Sequence, residues 1–398
     1  MMNNIRIVNA TIVTPLGNTA RKGDEMGKLS IIPNGELVIE NGIITYVGEM
    51  KSMPLVSHEK KFRIVDANEK CVLPGFVDSH THLIFGGYRP DEFEWRLKGE
   101  SYMTIMERGG GIQSTVNATR AESPAQLAEK AQWFIDRMSE MGVTTVEVKS
   151  GYGLSTETEA GMLDAIDILK SRGQQKVNII STFLGAHAVP KEYKGRTSEY
   201  VDLIINEMIP KMKGRATFFD IFTEKNVFEI EDSRRLLKAA RDAGFQLKLH
   251  ADEIVTLGGA ELAAEMGAVS ADHLLHVSDE GVRQMAAKNV VATLLPLTAF
   301  ALREPFAPAR KFIGEGAAVA LATDLNPGSC FSGSIPLTIA LACIYMQMSV
   351  EETITALTLN GAAALNIADK TGSLETGKRG DAVILHFDNY KSLPYYTG

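Results

Sequence analysis

The chain has 398 residues, of which 45% are apolar and 23% charged, with a formal net charge of −8. The length allows a large core and a small second domain, and the composition is that of an ordinary globular protein. The acidic balance lacks the basic excess that neutralises phosphates, which argues against a nucleic-acid partner, and no apolar run approaches the ~20 residues of a membrane span.

The first predicted elements are short strands. Glu36–Glu40, Asn41-Gly42 and Ile43–Val47 read as a hairpin, because Asn-Gly supplies the two positive φ angles of a type I′ turn. Between residues 67 and 366 strand and helix signals alternate. Eight strands are predicted: Phe76–His80, Thr144–Val148, Val177–Phe183, Thr217–Phe222, Gln246–His250, Val269–His273, Val290–Leu295 and Ala318–Thr323. Ser123-Pro124 predicts one helix start, with Ser as N-cap and Pro at N1; Thr156-x-x-Glu159 predicts a capping box; Asp232–Ala243 and Ser278–Lys288 are amphipathic. Short apolar strands alternating with helices imply a parallel sheet covered on both faces. Eight such units over about 250 residues predict an α/β fold, a (β/α)8 TIM barrel. Asp381–Phe387 reads as a further strand. The expected organisation is therefore a small β-domain made from both chain ends, residues 1–66 and 367–398, around a barrel at 67–366.

Catalytic groups of such a barrel sit at the C-terminal ends of its strands. Five of the eight histidines fall there: His80 and His82 after strand one, His187 after strand three, His250 at strand five and His273 at strand six. Asp324 follows strand eight. His80 and His82 are two residues apart, so both imidazoles can reach one ion from the strand end. His80, His82, His250 and Asp324 are the expected ligands of a zinc-like or ferrous-like ion. Such an ion brings the pKa of a bound water to about 7. Glu253, three residues after His250, is placed to shuttle protons, with Asp252 as its competitor; Asp324 can also accept a proton, and His273 can polarise a carbonyl. Arg89 is expected to fork onto a substrate carboxylate, which the acidic net charge does not forbid, because the global field is screened beyond roughly 8 Å. Tyr152 is a phenol on the loop after strand two; Tyr102 is a weaker candidate. Gly109-Gly110-Gly111 lacks the following Lys-Ser/Thr of a phosphate loop and suits a sharp turn or close approach to a ligand.

The opening residues show no apolar core of a signal peptide, and Cys71, Cys330 and Cys343 form no CxxC pair or disulfide framework. A reducing compartment, the cytoplasm, is expected.

Asp78–Leu83, Gly109–Thr115, Glu147–Leu154, Thr182–His187, Leu249–Glu253, Ala271–His273 and Ala322–Ser329 together resemble the amidohydrolase superfamily, and within it the imidazolonepropionase family. The resemblance spans nearly the whole chain. It implies a metal-dependent hydrolase on a (β/α)8 TIM barrel with a small β-sandwich domain, usually a homodimer holding zinc or iron. The implied reaction is hydrolytic ring opening of 4-imidazolone-5-propanoate to N-formimidoyl-L-glutamate in histidine degradation. By the same resemblance the metal ligands are His80, His82, His250 and Asp324, and the substrate contacts are Arg89, Tyr102, Tyr152, His187, Glu253, Asn326, Gly328 and Ser329. Tyr152 and His187 could face either the carboxylate tail or the ring.

Two features depart from relatives. Bimetallic amidohydrolases carry a bridging lysine near the end of strand four, where this chain has Thr223-Glu224-Lys225; Glu224 at the inner position implies one divalent metal ion. The chain stops at Tyr395-Tyr396-Thr397-Gly398, where relatives continue, so the small domain is expected to lack one strand. The alternative readings are a superfamily deaminase of a cyclic amidine, which would release ammonia, and a non-catalytic assembly protein, which would not need all four ligands.

Overall fold

The computed structural model describes residues 4–50, 62–100, 110–172 and 177–397. β1 (Ile5–Thr14), β2 (Ser30–Glu40), β3 (Ile43–Glu49), β4 (Arg63–Asp66) and β5 (Cys71–Pro74) join β14 (Ala382–Ile384) in one six-stranded sheet. Its order is β14-β5-β1-β2-β3, with β4 beside β1. Asn41 and Gly42 have φ of 52° and 81°, so the β2–β3 hairpin turns as its Asn-Gly pair requires. Alternate residues Ile7, Leu37, Ile39, Ile44 and Val72 form this sheet's own small core. β5 belongs here although it lies past residue 66, so the chain leaves the small sheet at Gly75. A Cβ at Gly75 would lie 2.1 Å from Thr144 Oγ1, which leaves room only for glycine at the passage.

The second sheet has eight strands: β6 (Phe76–Asp78), β7 (Val143–Lys149), β8 (Asn178–Ala186), β9 (Phe218–Thr223), β10 (Gln246–Ala251), β11 (Ser270–His273), β12 (Val291–Leu294) and β13 (Val319–Leu321). Each pairs in parallel with the next. These are the eight strands expected from the sequence, with shifted ends. β13 returns to β6 through a seam of few bonds. Asp324 N–H donates to His80 O (3.0 Å) and His82 N–H to Leu325 O (2.9 Å). Below them Asp78 accepts from Thr323 N–H (3.0 Å) and Oγ1 (2.6 Å). The seam that closes the barrel thus carries three of the four expected ligands. It also explains why β6 ends at Asp78 rather than His80: past Asp78 the backbone bonds to residues 323–325 instead of continuing a ladder.

The helix Pro124–Glu140 opens on Ser123 as expected, with a reciprocal cap: Ser123 N–H donates to Gln126 Oε1 at 2.9 Å. Ile230–Asp242 and Asp279–Lys288 are the two amphipathic helices. One expectation fails. The helix Thr156–Ser171 is capped by Ser155, not Thr156, and Glu159 closes no capping box. Its side chain is buried and turned back into the loop that precedes the helix.

Candidate active site

The C-terminal ends of the barrel strands bring the expected ligands together. His80 Nε2 lies 3.5 Å and His82 Nε2 3.4 Å from Asp324 Oδ1, and His250 Nε2 lies 3.3 Å from His82 Nε2. A tetrahedral ion with bonds of about 2.1 Å has donor–donor edges of about 3.4 Å. His80 Nε2 and Asp324 Oδ1 are buried without a hydrogen-bond partner among the described residues, an arrangement that a cation satisfies. The residues therefore fit a divalent metal. Among the described residues three trios qualify by distance: His80, His82 and Asp324, and two overlapping ones through His250, with His82 and His187 or with His80 and His273.

The orientation of the donors is set by carboxylates inside the barrel. Asp272 Oδ2 accepts from His80 Nδ1 at 2.6 Å, and Asp220 Oδ1 accepts from His250 Nδ1 at 3.1 Å. A carboxylate only accepts, so each Nδ1 carries the proton and each Nε2 offers a lone pair to a metal. Lys149 Nζ holds the other Asp220 oxygen (2.7 Å) and Glu147 (2.7 Å); Lys248 Nζ donates to Ser79 O (3.1 Å) and stands 3.4 Å from Asp272. Burial works against the Lys149 charge, yet Asp220, Glu147 and Asp272 outweigh it and raise its pKa. Thr298 Oγ1 donates to Asp324 Oδ2 at 2.7 Å, which leaves Oδ1 facing the histidines.

The proton-handling candidates separate. Asp252 accepts the N–H groups of Leu257, Gly258, Gly259 and Ala260 at 2.8–3.1 Å and so caps the helix Gly259–Met266. Glu253 instead faces the site, with Oε1 3.5 Å from His273 Nδ1. Burial, and then the Asp324 charge, pushes its pKa up to about 8. Both His273 ring nitrogens are buried and lack a hydrogen-bond partner among the described residues. Burial keeps His273 neutral, well below the usual histidine pKa.

Tyr152 and His187 pack beside His82, with ring centroids 5.9 and 5.0 Å away. His187 Nδ1 donates to Gly151 O at 3.0 Å, and burial lowers its pKa to about 3. Arg89 pairs with Glu92 through Nε (2.9 Å) and Nη2. Its Nη1 lies where a Cβ on Gly328 would sit 2.2 Å away, so Gly328 is the residue that makes room for the guanidinium. Arg89, Gly328 and Ser329 line a cavity of about 620 Å³ with Phe93, Arg96 and Phe331. Asn326 shapes the loop: Nδ2 donates to Asp324 O (2.8 Å) and Ser329 Oγ (2.9 Å), while Oδ1 accepts the N–H groups of Gly328 (2.9 Å) and Ser329 (2.8 Å). Tyr102 and Gly109 lie outside the described residues.

Glu224 turns its carboxylate to loop amides: Oε1 accepts Lys225 N–H at 2.8 Å. Its Oε2 accepts Ile254 N–H at 2.9 Å, and Lys225 is exposed. Sequence reading missed Asp220, Lys149, Lys248, Thr298 and Glu159. For Asp220 and Lys248 the signal was there, since a charge inside a strand that is apolar on both faces must be paired; Lys149, Thr298 and Glu159 carried no such mark.

Comparison with known proteins agrees with this geometry. The amidohydrolase family model matches residues 71–396. Imidazolonepropionase of Phocaeicola vulgatus is 62% identical over 100% of this chain and 96% of its own length. The proteins of that name from Parabacteroides distasonis and Clostridium tetani are each 54% identical, over 98% and 99% of this chain and 94% of their own lengths. Among solved structures, 5-methylcytosine deaminase from Klebsiella pneumoniae has a TM-score of 0.73 at 16% identity, covering 98% of this chain and 94% of its own. Molinate hydrolase has a TM-score of 0.69 at 19% identity, covering 98% and 91%. At such identity these two speak for the fold alone. The sequence relatives and the family model together place the chain in the amidohydrolase family, among the imidazolonepropionases.

Proposed function

We propose that this chain hydrolyses the ring of 4-imidazolone-5-propanoate to N-formimidoyl-L-glutamate. The observation that carries the reading is identity of 54% or more to imidazolonepropionases along the whole chain. The donor cluster supports it. One water is consumed: its oxygen bonds to the ring carbonyl carbon, the bond from that carbon to the ring nitrogen breaks, and the nitrogen leaves with a proton. No ammonia forms.

His80, His82, His250 and Asp324 would hold one divalent ion, zinc or iron, which polarises the carbonyl and makes water available as a nucleophile near neutral pH. Glu253 takes up and returns protons at its carboxylate, with Asp324 as the second acceptor. His273 stays neutral and donates to the oxygen that gains charge. Arg89, fixed by Glu92, turns its Nη1 to the propanoate tail across the glycine at 328. Tyr152 and His187, beside His82, contact the tail or the ring, and the loop shaped by Asn326 presents Gly328 and Ser329.

We take the protein to be a cytoplasmic homodimer. The resemblance supports this, as do its cysteines, which are all free. Among the described residues no helix is long and apolar enough to cross a membrane.

The test is turnover of the imidazolone by the purified protein, followed by absorbance, with an ammonia assay in parallel. Loss of absorbance without ammonia is expected. Ammonia release would favour the deaminase, and no turnover with metal bound would favour the assembly protein.

A further inference from the structure

The loop Gly151–Leu154 carries Tyr152 into the site and supplies the carbonyl that orients His187. A loop with φ of 112° at Gly151 and 51° at Leu154 has no ladder of its own and needs partners for its amides. Glu159 provides them. Its Oε2 accepts Gly151 N–H at 3.0 Å, and its Oε1 accepts Gly153 and Leu154 N–H, both at 2.8 Å. The side chain is fully buried. From the other side Arg120 donates to Gly153 O (2.7 Å) and Leu154 O (3.3 Å). The fit is close: a Cβ on Gly153 would lie 2.6 Å from Glu159 N and 2.9 Å from Oε1.

We propose that Glu159 is a positioning residue for substrate binding, whose carboxylate gathers three loop amides and thereby fixes Tyr152 and, through the Gly151 carbonyl, His187. A neutral side chain cannot do this equally well. Glutamine has one acceptor oxygen, and its NH2 would confront another N–H donor in a fully buried site. The inference rests on reading Tyr152 and His187 as substrate contacts. Those contacts hold the substrate before and during reaction alike, so loosening them raises KM more than it lowers kcat.

The experiment is a double-mutant cycle on the metal-loaded full chain, Glu159→Gln with Tyr152→Phe, with metal content and thermal unfolding recorded for each variant. Glu159→Gln is expected to raise KM about tenfold with kcat within threefold of the parent. In the Tyr152→Phe background it should add clearly less than in the parent, because the share that runs through the tyrosine is gone and only the share through His187 remains. Full multiplication of the two effects, or a loss confined to kcat, would overturn the proposal. Tyr152→Phe without any effect on KM would instead refute the substrate-contact reading. Arg120→Gln, a change at a partly exposed side chain, should raise KM in the same direction and keeps the test available if Glu159→Gln does not fold. Hydrogen exchange in the resting protein needs no substrate: the amides of residues 151, 153 and 154 should exchange at least tenfold faster in Glu159→Gln, and unchanged protection would overturn the tether.

Discussion

Asp220→Asn tests how the barrel interior tunes the metal donors. Asp220 accepts from His250 Nδ1 at 3.1 Å through one oxygen and from Lys149 Nζ at 2.7 Å through the other. Asparagine keeps one acceptor. If its NH2 faces His250, the ring is driven to the tautomer with its proton on Nε2, the nitrogen a metal needs. If its NH2 faces Lys149, two donors meet in a buried site and the ammonium is left with Glu147. Both outcomes also remove a negative charge close to the cation. Loss of such a partner typically weakens metal binding 10- to 100-fold, about 1.4–2.7 kcal/mol. Competition with a chromogenic chelator at neutral pH measures it, and a thermal unfolding curve of the metal-free protein separates affinity from folding. Asp272→Asn should behave alike through His80. Metal affinity within threefold of the parent in both variants would refute the role assigned to these carboxylates.

Other predictions concern the substrate side and the scaffold. Arg89→Ala should lower kcat/KM for the acid substrate about 10- to 150-fold, the worth of a charged hydrogen bond of about 1.5–3 kcal/mol. An uncharged imidazolone should lose far less, and equal losses would remove the anchoring role. Glu253 works as a base only when ionised, so activity should rise with pH through its pKa; a bound cation pulls that value below about 8, and Glu253→Gln should abolish the rising limb together with at least 100-fold of kcat. Asp252→Ala should destabilise the protein by about 1–3 kcal/mol by orphaning helix-terminal amides, read as a lower unfolding midpoint; an unchanged midpoint would contradict the capping role.

The barrel was legible because its signals are local and repeated: each strand is a short apolar run, and each is followed by a helix. The positions of His80, His82, His250 and Asp324 followed from that periodicity, since a strand's end is visible in one sequence. What was not legible depends on which direction a side chain turns. Thr156-x-x-Glu159 has the spacing of a capping box, but the amides of a glycine-rich loop outcompete the helix terminus for the carboxylate. Asp252 and Glu253 are adjacent acids, and only the left-handed backbone at Asp252, with φ of 50°, shows why one turns to the helix and the other to the site. Lys149 and Lys248 carried no mark of their partners: Glu147 is two residues from Lys149 on β7, but Asp220 comes from β9 and Asp272 from β11.

The central claim is that four side chains gather one ion on which ring opening depends. The direct measurement is a metal titration of stripped protein, with imidazolone turnover recorded at each addition. Activity should be absent at the start and rise linearly to a plateau at one equivalent per chain. Turnover by the stripped protein, or a plateau only at two equivalents, would contradict the account.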